Sequence, residues 1–87
     1  MNHRHRKVLH ALFAHPVSAN IHAADVEAVL GELGAELDHS HHGKLTAQLD
    51  GHTLSIGHSS HTLNPDQVRQ VRKFLEDCGV SPAAYPA

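Results

Sequence analysis

The sequence predicts an α+β fold in one small domain, residues 1–87, with a three-stranded antiparallel sheet packed on helices in the order α-α-β-β-β-α. Two observations favour this class. Apolar residues recur at helical spacing in three segments, and between the second and third segments the spacing changes to every second residue. In that middle region Asp50-Gly51 separates two alternating runs, and this pair favours the left-handed backbone angles of a type I′ hairpin turn.

Two helices are predicted before the sheet. Residues 1–7 are interpreted as a basic tail, and helical spacing predicts a leading helix over residues 8–15, which ends because the residue before Pro16 disfavours helical backbone angles. The second helix, residues 22–33, has apolar residues at positions i, i+3, i+4 and i+7. Gly34 follows it and suits the left-handed residue that commonly ends a helix.

Three alternating runs predict strands with one apolar face each, which is typical of an antiparallel sheet with one face on helices and the other in water. Their apolar members are Ala35 and Leu37, then Leu45, Ala47 and Leu49, then Leu54 and Ile56.

The last helix has the clearest start signal. Asn64 can cap it, Pro65 suits its first position, Gln67 can close a capping box, and Gly79 marks its end. Residues 81–87 contain two prolines and no periodicity, so we expect a loose tail there.

Composition narrows the function classes. The net charge is −2 with neutral histidines, so no global positive field indicates nucleic-acid binding. Six of the eleven histidines lie between Asp38 and His61, and imidazole is the side chain that exchanges protons near neutral pH. The single cysteine cannot form an internal disulfide, no apolar run could span a bilayer, and no signal peptide is recognisable. We therefore expect a cytoplasmic protein without membrane association.

Several segments resemble the HicA family of small bacterial toxins. They are Asp25-Val26-Glu27-Ala28-Val29-Leu30, Leu33-Gly34-Ala35-Glu36, a polar hairpin, a histidine after the third strand, and Val71-Arg72-Lys73-Phe74-Leu75-Glu76-Asp77-Cys78-Gly79-Val80. The resemblance covers about residues 20–80. It implies the compact fold of double-stranded-RNA-binding domains, a metal-independent mRNA interferase activity that depends on a histidine, and neutralisation by a HicB-type antitoxin. No cofactor is expected.

The position of the catalytic histidine depends on the alignment. Members of the family usually carry Gly-Ser-His-His at the start of the second strand, and Ser40-His41-His42 matches three of these letters, although it lies nearer to Gly34 than the family spacing. Alignment on Gly43 and the hairpin turn instead places Lys44-Leu45-Thr46 on the remaining motif positions, without a histidine. A shift of one residue moves a side chain to the other face of a sheet, so the two alignments predict opposite outcomes for activity.

The candidate catalytic residues are therefore His41, His42 and His58, because His58 matches the histidine after the third strand in either alignment. Metal-free RNA cleavage needs a base for the 2′-hydroxyl proton and an acid for the leaving oxygen, and imidazole suits both roles. The alternative is that the histidines are exposed turn residues. No acidic residue that would orient His39, His41 or His42 can be assigned from the sequence.

The candidate RNA-binding residues are Lys44 and a group on one side of the last helix, namely Arg69, Arg72 and Lys73. These three fall within one turn and could contact successive phosphates of RNA. The alternative is a solvated face that Glu76 and Asp77 balance.

A metal-binding module is the competing hypothesis. His39 and His41 would lie on one strand face, and His58 or His61 could complete a set of three histidines. No cysteine pair and no His-Glu-x-x-His helix supports such a site. Three hypotheses result: a HicA-like ribonuclease toxin, a degenerate relative that binds RNA or an antitoxin without cleaving, and a histidine-rich metal-binding protein.

Overall fold

The computed structural model describes residues 2–17, 21–39, 44–57 and 62–86. Within them the element order is α-α-β-β-β-α followed by one short 3₁₀ turn, which confirms the predicted α+β fold class. The elements are α1 (His3–Leu12), α2 (Ala23–Glu32), β1 (Glu36–His39), β2 (Lys44–Leu49), β3 (His52–Gly57), α3 (Pro65–Asp77) and the turn Pro82–Ala84. No helix in this described part of the chain is long and apolar enough to cross a membrane.

The three strands form one antiparallel sheet in the order β1-β2-β3. Asp50 and Gly51 have φ angles of 50° and 80°, so the hairpin turn has the left-handed conformation that the Asp-Gly pair predicts. Leu49 pairs with His52 across this turn. Gly34, with φ of 96°, likewise takes the left-handed conformation predicted after α2.

The predicted capping box of α3 is present. The side chain of Asn64 accepts a hydrogen bond from the backbone N–H of Gln67 at 2.8 Å, and the Gln67 side chain accepts one from the backbone N–H of Asn64 at 3.0 Å. The two bonds satisfy backbone donors that a helix start leaves free. Pro65 is the first helical residue, as the sequence predicts.

The N-terminal helix differs from its prediction. It begins at His3 rather than residue 8, because the side chain of Asn2 caps it by accepting a hydrogen bond from the backbone N–H of His5 at 2.8 Å. Most of the predicted basic tail, residues 1–7, is thus helical, and α1 ends at Leu12, before the residue 15 at which the sequence predicts its end. The capping signal of Asn2 precedes a run of charged residues, which hid the helix because no apolar periodicity marks its first turns.

The C-terminal segment is packed, in contrast to the predicted loose tail. It forms the 3₁₀ turn Pro82–Ala84, and the half-buried Tyr85 packs against the core. The ring of His10 donates a hydrogen bond from Nε2 to the backbone carbonyl of Tyr85 at 2.8 Å. A contact between residues so far apart in the chain leaves no local pattern in the sequence.

A single apolar cluster holds the layers together. The inward face of the sheet packs on α2 and α3, and α1 packs on these two helices. Leu9 and Leu12 of α1 are fully buried, so the leading helix belongs to the core. In the described residues no polar side chain is buried, and the core is therefore held by apolar packing.

Candidate nucleic-acid interface and active site

The end of β1, the start of β2 and the end of β3 lie at the same end of the sheet, and each of them adjoins a histidine-rich segment of the chain. Lys44, which begins β2, pairs with Gly57, which ends β3, and His39, which ends β1, pairs with Leu45. We call the end that carries His39, Lys44 and Gly57 the His39 end. Helix α3 begins there too, because the Gln67 side chain donates a hydrogen bond to the Gly57 carbonyl at 2.6 Å.

The three histidines predicted to be catalytic, His41, His42 and His58, lie outside the described residues. Residues 40–43 connect β1 to β2, and residues 58–61 follow β3 directly, so the chain attaches both segments at the His39 end. Ser40 and Gly43, on which the two alignments depend, also lie outside the described residues. The first described residue of β2 is Lys44, and the strand Lys44–Leu49 contains no histidine.

A histidine–carboxylate pair lies at this end. The Nε2 atom of His39 is 2.7 Å from Oε1 of Glu27, which projects from the first half of α2. The His39 side chain is 60 % exposed. A carboxylate at one ring nitrogen fixes the tautomer and orientation of an imidazole, which is the support that a general base needs.

Sequence reasoning assigned no acidic partner to His39, and the reason is topological. Glu27 and His39 are twelve residues apart on different elements, and they meet because β1 runs back along α2 after the turn at Gly34. The helical spacing of α2 identifies its buried face but does not specify which polar residue on the flank faces the end of the next strand.

The predicted RNA-binding residues do not form one continuous row of cations. Lys44 is exposed, and its strand position places it on the open face of the sheet, whereas His39 pairs with Leu45 and shares the face that the helices cover. Lys73 is exposed beside β3, in a groove of about 280 Å³.

The two arginines of α3 already have partners. Arg72 donates from Nε to the carbonyl of Leu12 at 3.0 Å and from its terminal nitrogen to the carbonyl of Ala14 at 3.2 Å. Its guanidinium therefore fastens the end of α1 to α3. Arg69 forms an exposed ion pair with Asp66 at 2.7 Å, and such a pair exchanges readily for a phosphate.

Helix α1 presents a basic surface, which the prediction of a tail at residues 1–7 did not include. It carries Arg4, Arg6 and Lys7 and contains no acidic residue. Arg4, whose side chain is 77 % exposed, pairs with Asp25 in the first turn of α2 at 3.1 Å. Arg4 and Lys7 border a groove of about 220 Å³ next to the start of α2. The bridge between His22 and Thr62 joins the start of α2 to the segment that leads into α3. Because α3 begins at the His39 end, this basic surface lies toward the same end of the molecule.

The alternative metal site has no counterpart among the described residues, where no group of three or more histidine, cysteine, aspartate or glutamate side chains could hold a metal ion. Of the histidines in that hypothesis, only His39 is described, while His41, His58 and His61 lie outside.

A scan of protein-family models, a search of curated proteins and a search of solved structures each found no match to this chain. The resemblance to the HicA family therefore rests on the residues quoted above.

Proposed function

We propose that this protein binds RNA at the His39 end and cleaves it through histidine, as a toxin of the HicA type. The observation that carries the proposal is the His39–Glu27 pair. It supplies an oriented imidazole at the end of the sheet to which both histidine-rich segments are attached. An exposed cation, Lys44, begins β2 at this end, and a second, Arg4 on α1, pairs with Asp25 in the first turn of α2.

The chemistry divides between two imidazoles. With its Nε2–H donated to Glu27, His39 keeps Nδ1 free to accept the proton of an RNA 2′-hydroxyl. The 2′-oxygen then attacks the adjacent phosphorus, the bond to the 5′-oxygen breaks, and a second, protonated histidine gives its proton to that oxygen. His41, His42 and His58 are the candidates for the second role. The products are a 2′,3′-cyclic phosphate and a free 5′-hydroxyl.

The aromatic residues favour recognition of the RNA backbone over stacking on bases. The chain has two phenylalanines and one tyrosine, and Phe13, Phe74 and Tyr85 all pack against the core. A platform of exposed aromatic rings, such as single-strand binders use, cannot be built from them. Cations at the His39 end would instead contact phosphates, so the affinity should depend strongly on salt.

The proposed function implies a cytoplasmic location and a protein inhibitor. A toxin that cleaves mRNA acts in the cytoplasm, and its cell needs an inhibitor. A HicB-like antitoxin that covers the His39 end would block both the cations and the imidazole of His39. We therefore expect expression of this chain alone to slow growth and co-expression with such a partner to restore it.

A second candidate function is RNA binding without cleavage. The observation that favours it is that strand β2, Lys44–Leu49, contains no histidine, although HicA toxins usually carry their catalytic histidine at the start of this strand. In this case Lys44 occupies a motif position and contributes only to phosphate binding.

The two candidates are distinguished by incubating purified protein with a labelled RNA in the presence of EDTA and determining the end groups of any fragments. A toxin gives 2′,3′-cyclic phosphate ends. His39→Ala should lower the cleavage rate by about 10²-fold or more, the range of general acid–base catalysis, whereas RNA affinity should change little. Glu27→Gln should reduce the rate less, because the amide still contacts the ring.

Single substitutions of His41, His42 and His58 by alanine in the same assay identify the second imidazole. Glu36→Gln is a matched control for Glu27→Gln, because it removes an exposed carboxylate at the start of β1 rather than at the His39 end. RNA binding without cleavage by the wild type would support the second candidate. If the wild type neither binds nor cleaves RNA, both candidates are contradicted.

A further inference from the structure

The outer edge of β3 carries backbone groups that bond to no other described residue. In the two-residue hairpin, the carbonyl of Leu49 and the N–H of His52 close the turn, so these two residues form a hydrogen-bonded pair. Antiparallel pairs alternate between bonded and unbonded, so Leu54 and Ile56 also direct their N–H and C=O groups toward β2. The N–H and C=O groups of Thr53 and Ser55 therefore point away from the sheet.

No other described residue covers these groups. Thr53 and Ser55 are both exposed, and none of the backbone hydrogen bonds outside the regular elements involves them. The Gln67 side chain occupies only the carbonyl of Gly57, at the end of the strand. Edge strands usually carry a lysine, a proline or a bulge that prevents pairing, but β3 (His52–Gly57) pairs regularly along its length and has neither residue type.

We propose that a second copy of this chain binds this edge, with the two β3 strands antiparallel across a two-fold axis and the two sheets joined into one of six strands. An antiparallel edge is its own complement about such an axis, because the outward donors and acceptors of Thr53 and Ser55 meet the same groups of the other copy.

The charges beside the edge permit this approach. The groove between β3 and α3, about 280 Å³, is bordered by Lys73 and Asp77. Both side chains are exposed and take part in none of the hydrogen bonds or ion pairs between described residues, so the edge carries one positive and one negative group without excess of either.

The test is sedimentation equilibrium of the wild type from low micromolar to millimolar concentration, together with amide hydrogen exchange. We expect a reversible dimer, and we expect the amides of Thr53 and Ser55 to exchange slowly at high concentration and rapidly at low concentration. The Leu54 amide, which bonds to β2, serves as an internal control and should be protected at both concentrations.

The variant Thr53→Pro removes one outward N–H and no hydrogen bond to β2, because proline is tolerated in an edge strand where its nitrogen faces water. It should weaken dimerisation by tenfold or more, whereas the matched control Thr53→Val, which keeps the N–H, should dimerise like the wild type. A monomer at all concentrations overturns the proposal. A dimer in which the Thr53 and Ser55 amides still exchange rapidly also overturns it, and this exchange result stands even if Thr53→Pro does not fold.

Discussion

Two arginines that the sequence places on the same side of α3 have different environments in the structure. Arg69 and Arg72 are three positions apart on α3, yet Arg69 forms an exposed ion pair, whereas half-buried Arg72 donates to two carbonyls at the end of α1. A cation that satisfies backbone carbonyls contributes to stability, because its removal leaves these acceptors without a protein partner. A surface pair contributes little, because water and salt screen it.

The substitution Arg72→Ala should therefore lower the free energy of unfolding by about 1.5–3 kcal/mol, the usual range for hydrogen bonds to charged groups. The matched variant Arg69→Ala should change it by less than about 1 kcal/mol. Urea denaturation followed by circular dichroism measures both. Equal losses for the two variants would show that the contacts between Arg72 and the end of α1 do not stabilise the fold.

The thiol of Cys78 should be a poor nucleophile. Partial burial raises the pKa of Cys78 above its ordinary value, and the negative charges of Asp50 and Asp77 raise it further. Because only the thiolate reacts, alkylation by iodoacetamide at pH 7.5 should be slower than that of free cysteine and should accelerate as the pH rises. Asp50→Asn should increase the rate at a fixed pH, and an unchanged rate would exclude the carboxylate of Asp50 as a cause.

The raised pKa of Cys78 also determines how stability changes with pH. The folded chain retains the Cys78 proton to a higher pH than the unfolded chain, because the folded state raises the pKa of this thiol. Between neutral pH and the pKa of the thiol in the unfolded chain, ionisation of Cys78 therefore does not change the free energy of unfolding. As the pH rises from that unfolded-state pKa to the higher folded-state pKa, ionisation of Cys78 lowers stability, and Cys78→Ala should remove this part of the alkaline decline.

At the scale of elements, local patterns in the sequence located most of the fold. The capping box of α3, the left-handed Gly34 and the Asp50-Gly51 turn are each determined by neighbouring residues, so their signals survive in a single sequence. The first turns of α1 were missed because they depend on one cap, Asn2, before a charged run, and on packing against residues far away in the chain. The acidic partner of His39 was missed because that contact also joins residues far apart in the chain.

Helix α1 should be indispensable to the fold, although the resemblance to HicA covers only about residues 20–80. Leu9→Ala should lower the free energy of unfolding by about 2–5 kcal/mol, since Leu9 is fully buried between α1 and the helices beneath it. The matched variant Val8→Ala removes a smaller apolar group from a half-buried position and should cost less. Chemical denaturation compares the two, and a small loss for Leu9→Ala would make α1 an appendage rather than part of the core.

At the scale of the whole molecule, the net charge does not describe how the charged residues are distributed. The chain is slightly acidic overall, with a formal charge of −2, but its seven lysines and arginines are confined to α1, the start of β2 and one side of α3. Lys44 lies at the His39 end and three of the cations lie on α1, whereas the opposite end of the sheet carries Glu36 and Asp50. A polyanion would therefore approach from the first side.

The basic surface of α1 should contribute to this approach. The double variant Arg4→Ala with Lys7→Ala should weaken RNA binding and reduce the slope of log affinity against log salt by roughly 0.7 for each phosphate that the protein no longer neutralises, the value for single strands. Lys44→Ala should act in the same direction. Gln70→Ala, an exposed uncharged position on α3, is the control and should leave the slope unchanged. An unchanged slope in the double variant would exclude α1 from the RNA-binding surface.

The most direct test of RNA binding at the His39 end is a titration of isotope-labelled protein with a 2′-O-methyl RNA, which binds but cannot be cleaved. We expect the backbone amide signals of Arg4, His39, Lys44 and Gly57 to shift in a saturable way, while those of Gly34, Asp50 and Gly51 at the opposite end remain in place. Shifts confined to the opposite end, or no shifts at low salt, would contradict the proposed function.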